Sequence, residues 1–324
     1  MLATTAPAQL QKAELFNQFA EFIRLDVASG DASADTVKTY ASNVKQFFTW
    51  CQANRLHPLE ATREDLKEYR RWLVEVKKYK SATIGLKLTV VRRFYAGAVE
   101  QGLVLANPAL GIKPPRETRD PAERINYLEE PEAAQLLEAL PQDSSVKSLR
   151  DRLLMGVMLL EGCRTVEMHR LSVKDIVRRG SDIGLKVEGK RNKRVVPLTP
   201  DLGKLLRKYL KARQEEGEEV TPEAPLLISV AYGTKGKRLS RRSIQRVVDK
   251  YLHQTQLKRT EGRTLSAHSL RHTAGTFALR AGSQLRQVQD LLGHADPRTT
   301  ALYAHIADRW RNNPALRLRV TVRV

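Results

Sequence analysis

The sequence predicts a mainly α-helical protein with one small β-sheet, an α+β chain in two domains. Three observations predict it. Apolar residues recur every three or four positions across residues 10–110. A proline-rich stretch of mixed charge, KPPRETRDPAER, interrupts that periodicity at residues 113–124. Helical periodicity then returns, and period-two alternation is confined to residues 182–198 and a tail at 316–324.

Residues 1–9 carry no periodic signal and are expected to be flexible. A first helix is expected over Gln9 to Ala28. In the next, Val37, Tyr40, Val44 and Phe47 step by three and four, as do Leu66, Tyr69, Leu73 and Val76, and then Ile84, Leu88, Val91, Tyr95 and Ala98. Thr62 with Asp65 three later fits a capping box, and Ser81 is the expected N-cap of the following helix. Gly102 ends that helix and Pro108 follows it. Residues 10–112 therefore read as a compact bundle. Residues 113–125 are the expected linker, where Pro114 and Pro115 favour an extended path.

The second domain is expected over residues 126–310. Helices are predicted at 130–140 and 148–161. Gly162 breaks the chain, and a short helix restarts near Arg164. Leu185 and Val187, then Val195, Val196 and Leu198, alternate around the turn KRNK and predict two strands. Helices follow at 201–216, 240–254, 269–281, 284–292 and 297–306. The tail at 311–324 ends in LRLRVTVRV, a strand pattern that must pair with something, in its own protomer or a neighbour's.

Composition narrows the class of function. Apolar residues make up 41% of 324, enough for real cores. The apolar run Leu153 to Leu160 is far short of a membrane span, and MLATTAPAQL lacks the basic start and long apolar stretch of a secretory signal. A cytoplasmic protein is expected. Cys51 and Cys163 match no zinc or redox spacing and read as free thiols. The loudest feature is charge: 56 Lys and Arg against 36 Asp and Glu, net +20. Such a balance points to a polyanion. Without a basic amphipathic anchor or a lipidation signal, nucleic acid is favoured over membrane. Residues 1–113 carry 16 basic and 11 acidic side chains, and residues 114–324 carry 40 and 25, so the second segment is expected to make the denser phosphate contacts.

Four polar signals lie in order along the second domain. They are Arg164 in LLEGCRTVEMHRLS, Lys190 in EGKRNKRVVPL, His268 and Arg271 in SAHSLRHTAGT, and His294 with Tyr303 in LLGHADPRTTALYAH. His268 and His272 share a helix face, as in some zinc sites, but Arg271 between them would repel a cation and no third ligand is near. His268 and Arg271, one turn apart, suit a phosphate instead. No metal and no cofactor are expected. Each residue also has a structural reading: Tyr303 as a core tyrosine, His294 as a helix-end residue, Arg164 as a partner of Glu167, and Lys190 as part of a solvated basic turn. Their shared order argues against all of these holding at once.

That ordered set resembles the tyrosine recombinases, the integrases of phages and mobile elements together with the Xer-type resolvases. The family pattern is an arginine after a leucine-rich helix and a glycine turn, a lysine in a β-turn, H-x-x-R-H, L-G-H and a tyrosine nine residues on. The resemblance covers residues 10–310, with the first domain similar to a helical core-binding domain and the second to the catalytic domain. It implies cleavage and rejoining of DNA at specific sites through a 3′-phosphotyrosyl link, without metal or ATP. Tyr303 would be the nucleophile. Arg164 and Arg271 would stabilise charge on the phosphorus oxygens. Lys190, with Lys193 as the competing choice, would protonate the leaving 5′-oxygen. His268 would accept the tyrosine proton or hold the phosphate, and His294 would bond the other oxygen, while the second histidine of the motif, His272, is usually structural. Double-stranded DNA with a recombination site is the implied partner, bound by a dimer per site and a tetramer on two. Accessory proteins stay open.

Further DNA contacts are expected from Arg241 and Arg242 in the first turn of the helix after Ser240, and from Lys193. In the first domain, Lys87, Arg92 and Arg93 are the candidates for base reading. Two alternatives remain at this point: a type IB topoisomerase that nicks and religates, and an inactive DNA-binding regulator on the same fold.

Overall fold

The computed structural model describes residues 12–26, 34–117, 125–189, 193–260 and 262–304. The chain divides into two compact units, Met1–Thr118 and Arg119–Val324. The tail expected to form a strand, and residues 1–9, lie outside the described residues.

The first unit holds four helices: α1 (Lys12–Asp26), α2 (Ala34–Ala53), α3 (Arg63–Glu75) and α4 (Ser81–Glu100). Their apolar stripes meet around Phe47, whose ring lies between 5.1 and 6.3 Å from those of Phe48, Trp50, Tyr69, Phe94 and Tyr95. Two of these pairs, with Tyr69 and Tyr95, are edge-to-face, the geometry the ring quadrupole favours. The expected capping box opens α3: the Asp65 amide donates to Thr62 Oγ1 at 3.3 Å, and the Thr62 amide to Asp65 Oδ2 at 2.8 Å. At α4 the expected cap differs. Lys80 is the N-cap, and Ser81 is already helical. The Ser81 hydroxyl donates to the Pro115 carbonyl at 2.5 Å, a long-range bond that outbids the local cap. Arg70 and Arg92 donate to the carbonyls of Lys113 and Ile112, so the chain leaving the bundle is laid along its surface.

The second unit opens with α5 (Glu130–Glu138) and α6 (Val146–Leu160). Helix α6 is buried over most of its circumference, which explains its nearly continuous apolar sequence. Next come α7 (Thr165–Arg170) and a three-stranded antiparallel sheet of β1 (Ile176–Arg179), β2 (Asp182–Glu188) and β3 (Lys193–Pro197) in that spatial order. Strand β1 was not expected, because its sequence IVRR is short and half basic. Helices α8 (Pro200–Glu215) and α9 (Arg241–Gln254), a two-residue ribbon of β4 (Arg259–Thr260) and β5 (Arg263–Thr264), then α10 (Ala267–Arg280), α11 (Leu285–Leu292) and α12 (Pro297–Ala304) complete it. The main core is aliphatic, built on residues such as Leu153, Leu154, Val157, Leu206 and Leu270. A smaller cluster of Ile125, Ala274, Val288, Leu292 and Tyr303 packs the last three helices together. The fold is thus the expected mainly helical one with a small sheet.

Cys51 and Cys163 are buried and not joined in a disulfide, and burial pushes the Cys163 thiol up to about 12. Among the described residues, no helix is long and apolar enough to cross a membrane.

Candidate active site

Three local backbone features place Arg164, His268, Arg271 and His294 in the second unit. The first is Gly162, at φ +64°, a left-handed conformation that favours glycine. A Cβ there would lie 2.6 Å from Leu292 Cδ2 and 3.3 Å from Ala274 Cβ, so the position has neither the backbone freedom nor the space for a side chain. The turn sets Arg164 as the N-cap of α7. The second is the start of α10, where Ser266 caps the helix and leaves His268 exposed in the first turn. One turn later Arg271 is only 1% exposed, and its Nη1 donates to the Gly162 carbonyl at 2.5 Å while Nη2 donates to that of Leu292. The third is Gly293, at φ +60°, which ends α11 and turns the chain into His294.

Tyr303, on α12, is 2% exposed. Its ring lies on the glycine face of α10, where a Cβ on Gly275 would stand 3.0 Å from Tyr303 Cε1. The phenol Oη and His272 Nδ1 are hydrogen-bonded at 2.6 Å. The imidazole that meets the tyrosine is therefore His272, the residue read as merely structural, and not His268. The reason is geometric: His268 and His272 stand one turn apart with their rings 4.4 Å apart, and only His272 is level with α12. His294 stacks beside Tyr303 at 6.2 Å, and its Nδ1 bonds Thr300 Oγ1 at 2.9 Å.

Burial and the arginines set the protonation states. Burial, then His268 and Arg271, push His272 down to about 3. Burial, then Arg271 and Arg164, push His294 down to about 4. Desolvation by its neighbours and the charges of Arg271 and Arg164 hold His268 below its ordinary value. Burial raises the Tyr303 phenol, with Arg271 and Arg164 pulling the other way. Burial and Arg164 lower Arg271 to about 10, so it stays charged at neutral pH. The site thus holds neutral imidazoles, a protonated phenol and an excess of guanidinium over carboxylate charge, an arrangement that favours an anion.

Arg164, Arg271 and His268 open onto one cleft of about 410 Å³, with Arg241 and Lys258 also on its wall. Tyr303, His272 and His294 do not line it. Arg242 is exposed beside Arg241 on α9. Lys193 is exposed and lies 3.5 Å from Glu188, its cross-strand neighbour. Lys190 lies outside the described residues. Among the described residues, no three His, Cys, Asp or Glu side chains gather as a metal site.

The first unit corrects one expectation. Lys87 is 9% exposed, and its ammonium donates to Asn43 Oδ1 at 2.8 Å and Gln46 Oε1 at 2.5 Å while lying over the Tyr79 ring. It ties α4 to α2 and does not present its charge to a ligand. A buried lysine must find partners, and α2 supplies them. Arg92 is half-buried and engaged with Ile112, while Arg93 is exposed.

The pairing of Arg164 with Glu167, one of the structural readings above, is present, and Arg194, which the motifs do not single out, joins it. Glu167 is fully buried and accepts from the Arg164 amide, the Arg164 guanidinium and both ends of Arg194. Burial pushes its carboxyl up, but the fork and charge of Arg194, together with Arg164, hold it below its ordinary value. Arg194 closes the basic run Lys190, Arg191, Lys193, Arg194. The signal that finds it is period two: it sits two residues before buried Val196, on the same inward face of β3.

Residues 126–309 match the model of the phage integrase family, and residues 15–103 match that of the phage integrase N-terminal SAM-like domain. The chain belongs to the phage integrase family. It is a tyrosine-type site-specific recombinase, as the motif order implied. The tyrosine recombinase XerC of Pelobacter propionicus is 32% identical over 278 residues, 85% of this chain and 86% of that relative. In fold the chain is similar to the XerH site-specific recombinase bound to palindromic difH substrate in a post-cleavage complex (TM-score 0.73, 19% identity, 93% of this chain and 95% of that one). It is also similar to a lambda integrase tetramer bound to a Holliday junction (TM-score 0.64, 18% identity, 88% of this chain and 77% of that one).

Proposed function

We propose that this recombinase cleaves and rejoins duplex DNA at a specific site through a 3′-phosphotyrosyl intermediate, with Tyr303 as nucleophile. One observation carries the reading: adjacent residues of α10 divide the work, Arg271 lining the basic cleft and His272 holding the Tyr303 hydroxyl. The scissile phosphate enters the cleft between Arg164 and Arg271, and His268, on the same wall, bonds a non-bridging oxygen. The phosphate's charge offsets the guanidiniums and makes the nearby imidazoles more basic. The phenol then passes its proton to a neighbouring histidine as Oη attacks phosphorus. The P–O5′ bond breaks, and Lys190 gives the 5′-oxygen its proton. Reversal with a different 5′-hydroxyl rejoins the strand. Because Tyr303 is buried away from the cleft, α12 must shift when DNA binds.

The functional assembly is a dimer on each site and a tetramer on two. Support comes from the fold shared with the lambda integrase, which has been captured as a tetramer on a Holliday junction. Integration, excision and dimer resolution all use this chemistry.

Covalent trapping tests it. Wild type and Tyr303→Phe are expressed with candidate target DNA, denatured without protease and captured, and the attached DNA is sequenced. DNA on the wild type alone is the expected result and reveals the site. Equal DNA on both removes Tyr303 as nucleophile, and none on either favours the inactive DNA-binding regulator.

A further inference from the structure

We propose that Arg194 is a positioning residue for recombination, whose fork takes up both oxygens of the buried Glu167 carboxylate so that Arg164 is held by one oxygen only and keeps most of its charge for the scissile phosphate. The inference rests on the phosphotyrosyl reading above and goes beyond it, since Arg194 does not line the cleft.

A fully buried carboxylate is costly unless it is paired and hydrogen-bonded. Glu167 has two cations within reach, and they bind it differently. Arg194 grips both oxygens, Nη1 to Oε1 at 2.6 Å and Nη2 to Oε2 at 3.2 Å. Arg164 gives its guanidinium to one oxygen only, at 2.9 Å, and its Nη2 reaches the Gly293 carbonyl at a long 3.3 Å. Their exposures differ in the same sense: the Arg194 side chain is 13% exposed and that of Arg164 is 32%. Arg194 is the committed partner, and Arg164 is the one left facing the cleft.

Charge balance makes the same point. Arg164, Arg194 and Arg271 around one Glu167 leave two positive charges for the phosphate. Without Arg194, Glu167 would be neutralised by Arg164, and a transition state that gathers a second negative charge would meet only one. Packing adds a third link. A Cβ on Gly293 would stand 2.9 Å from Arg194 Nη1 and 3.0 Å from its Cδ, so the arginine fills the space beneath the corner that sets His294. Arg194 also belongs to β3, which begins three residues after Lys190 in the sequence. One side chain thereby braces Arg164, the His294 corner and β3.

The test compares full-length wild type, Arg194→Met, Arg194→Lys, Arg164→Ala and Tyr303→Phe. The substrate is a duplex containing the site recovered by trapping, with either a normal phosphate or a methylphosphonate at the scissile position. The methylphosphonate lacks one negative oxygen and so needs less positive charge. Affinity is read by gel shift, folding by thermal melting, and chemistry by single-turnover formation of the covalent adduct. Arg194→Met is expected to bind within about threefold of wild type and to cleave the phosphodiester about 10²-fold slower. On the methylphosphonate its deficit should shrink to under about tenfold, in parallel with Arg164→Ala. Arg194→Lys keeps the charge without the fork and should fall between. If Arg194→Met does not fold, Arg194→Lys carries the same comparison. Unchanged cleavage, or equal deficits on both substrates, would overturn the proposal. Adduct on Tyr303→Phe, or none on wild type, would instead overturn the phosphotyrosyl reading, and this inference with it.

Discussion

The two units bury opposite kinds of side chain. In the first, rings fill the centre, and the one buried charge among the described residues, Lys87, is satisfied by two amide side chains and a tyrosine face. In the second, the core is aliphatic and buried charge is abundant: Arg271, Glu167, Arg213 and the Arg150–Asp151 pair are each at most 4% exposed. Aromatic packing gives stability without desolvating ions. Holding guanidiniums in a low-dielectric site costs stability but keeps their field strong where a phosphate arrives. The contrast teaches that the bundle is built to persist and the catalytic unit to bind charge.

The largest effect should come from the ring cluster. Phe47→Ala is expected to cost the first unit about 3–5 kcal/mol, because five rings lose their common neighbour. Hydrogen exchange on the full chain should show the loss in α2–α4 and leave α6 and α10 protected. Equal loss in both units would break the comparison.

Arg271→Ala is the matching change in the second unit. It should lower covalent adduct formation about 10²–10³-fold, and melting should also fall, since the Gly162 and Leu292 carbonyls lose their donor. A variant that melts earlier yet forms adduct at the wild-type rate would make Arg271 a structural residue only.

Acid should act on the second unit through its histidines. His272 and His294 are held near 3 and 4 in the fold, while an unfolded chain takes up these protons below about 6.5. The unfolded state therefore binds more protons in this window. Stability present above pH 6.5 is lost progressively toward pH 4. His272→Gln should lose less melting temperature than wild type between those limits, and parallel curves would exclude the histidine.

The smallest effect belongs to Lys87. Lys87→Met, long enough to fill the same space, should change stability by about 1 kcal/mol and leave DNA affinity within error, whereas Arg93→Ala should weaken binding. A loss of affinity in Lys87→Met equal to that in Arg93→Ala would return Lys87 to the DNA-binding surface.

The sequence by itself determined the helices, the confinement of strand pattern to a short stretch, and the order Arg164, Lys190, His268, Arg271, His294, Tyr303. Period 3.6 and period two record which face of an element is apolar, and a motif records the order of polar residues along the chain. Neither records a partner. Only the tertiary structure decided that Arg194 grips a carboxylate 27 residues away, that Lys87 spends its charge on α2 44 residues away, and that Tyr303 meets His272 and not His268. Those pairings depend on how far each helix is rotated and slid against the next. That is set by close-packed contacts such as Gly275 against the Tyr303 ring and Gly162 against Leu292, which the sequence shows only as isolated glycines.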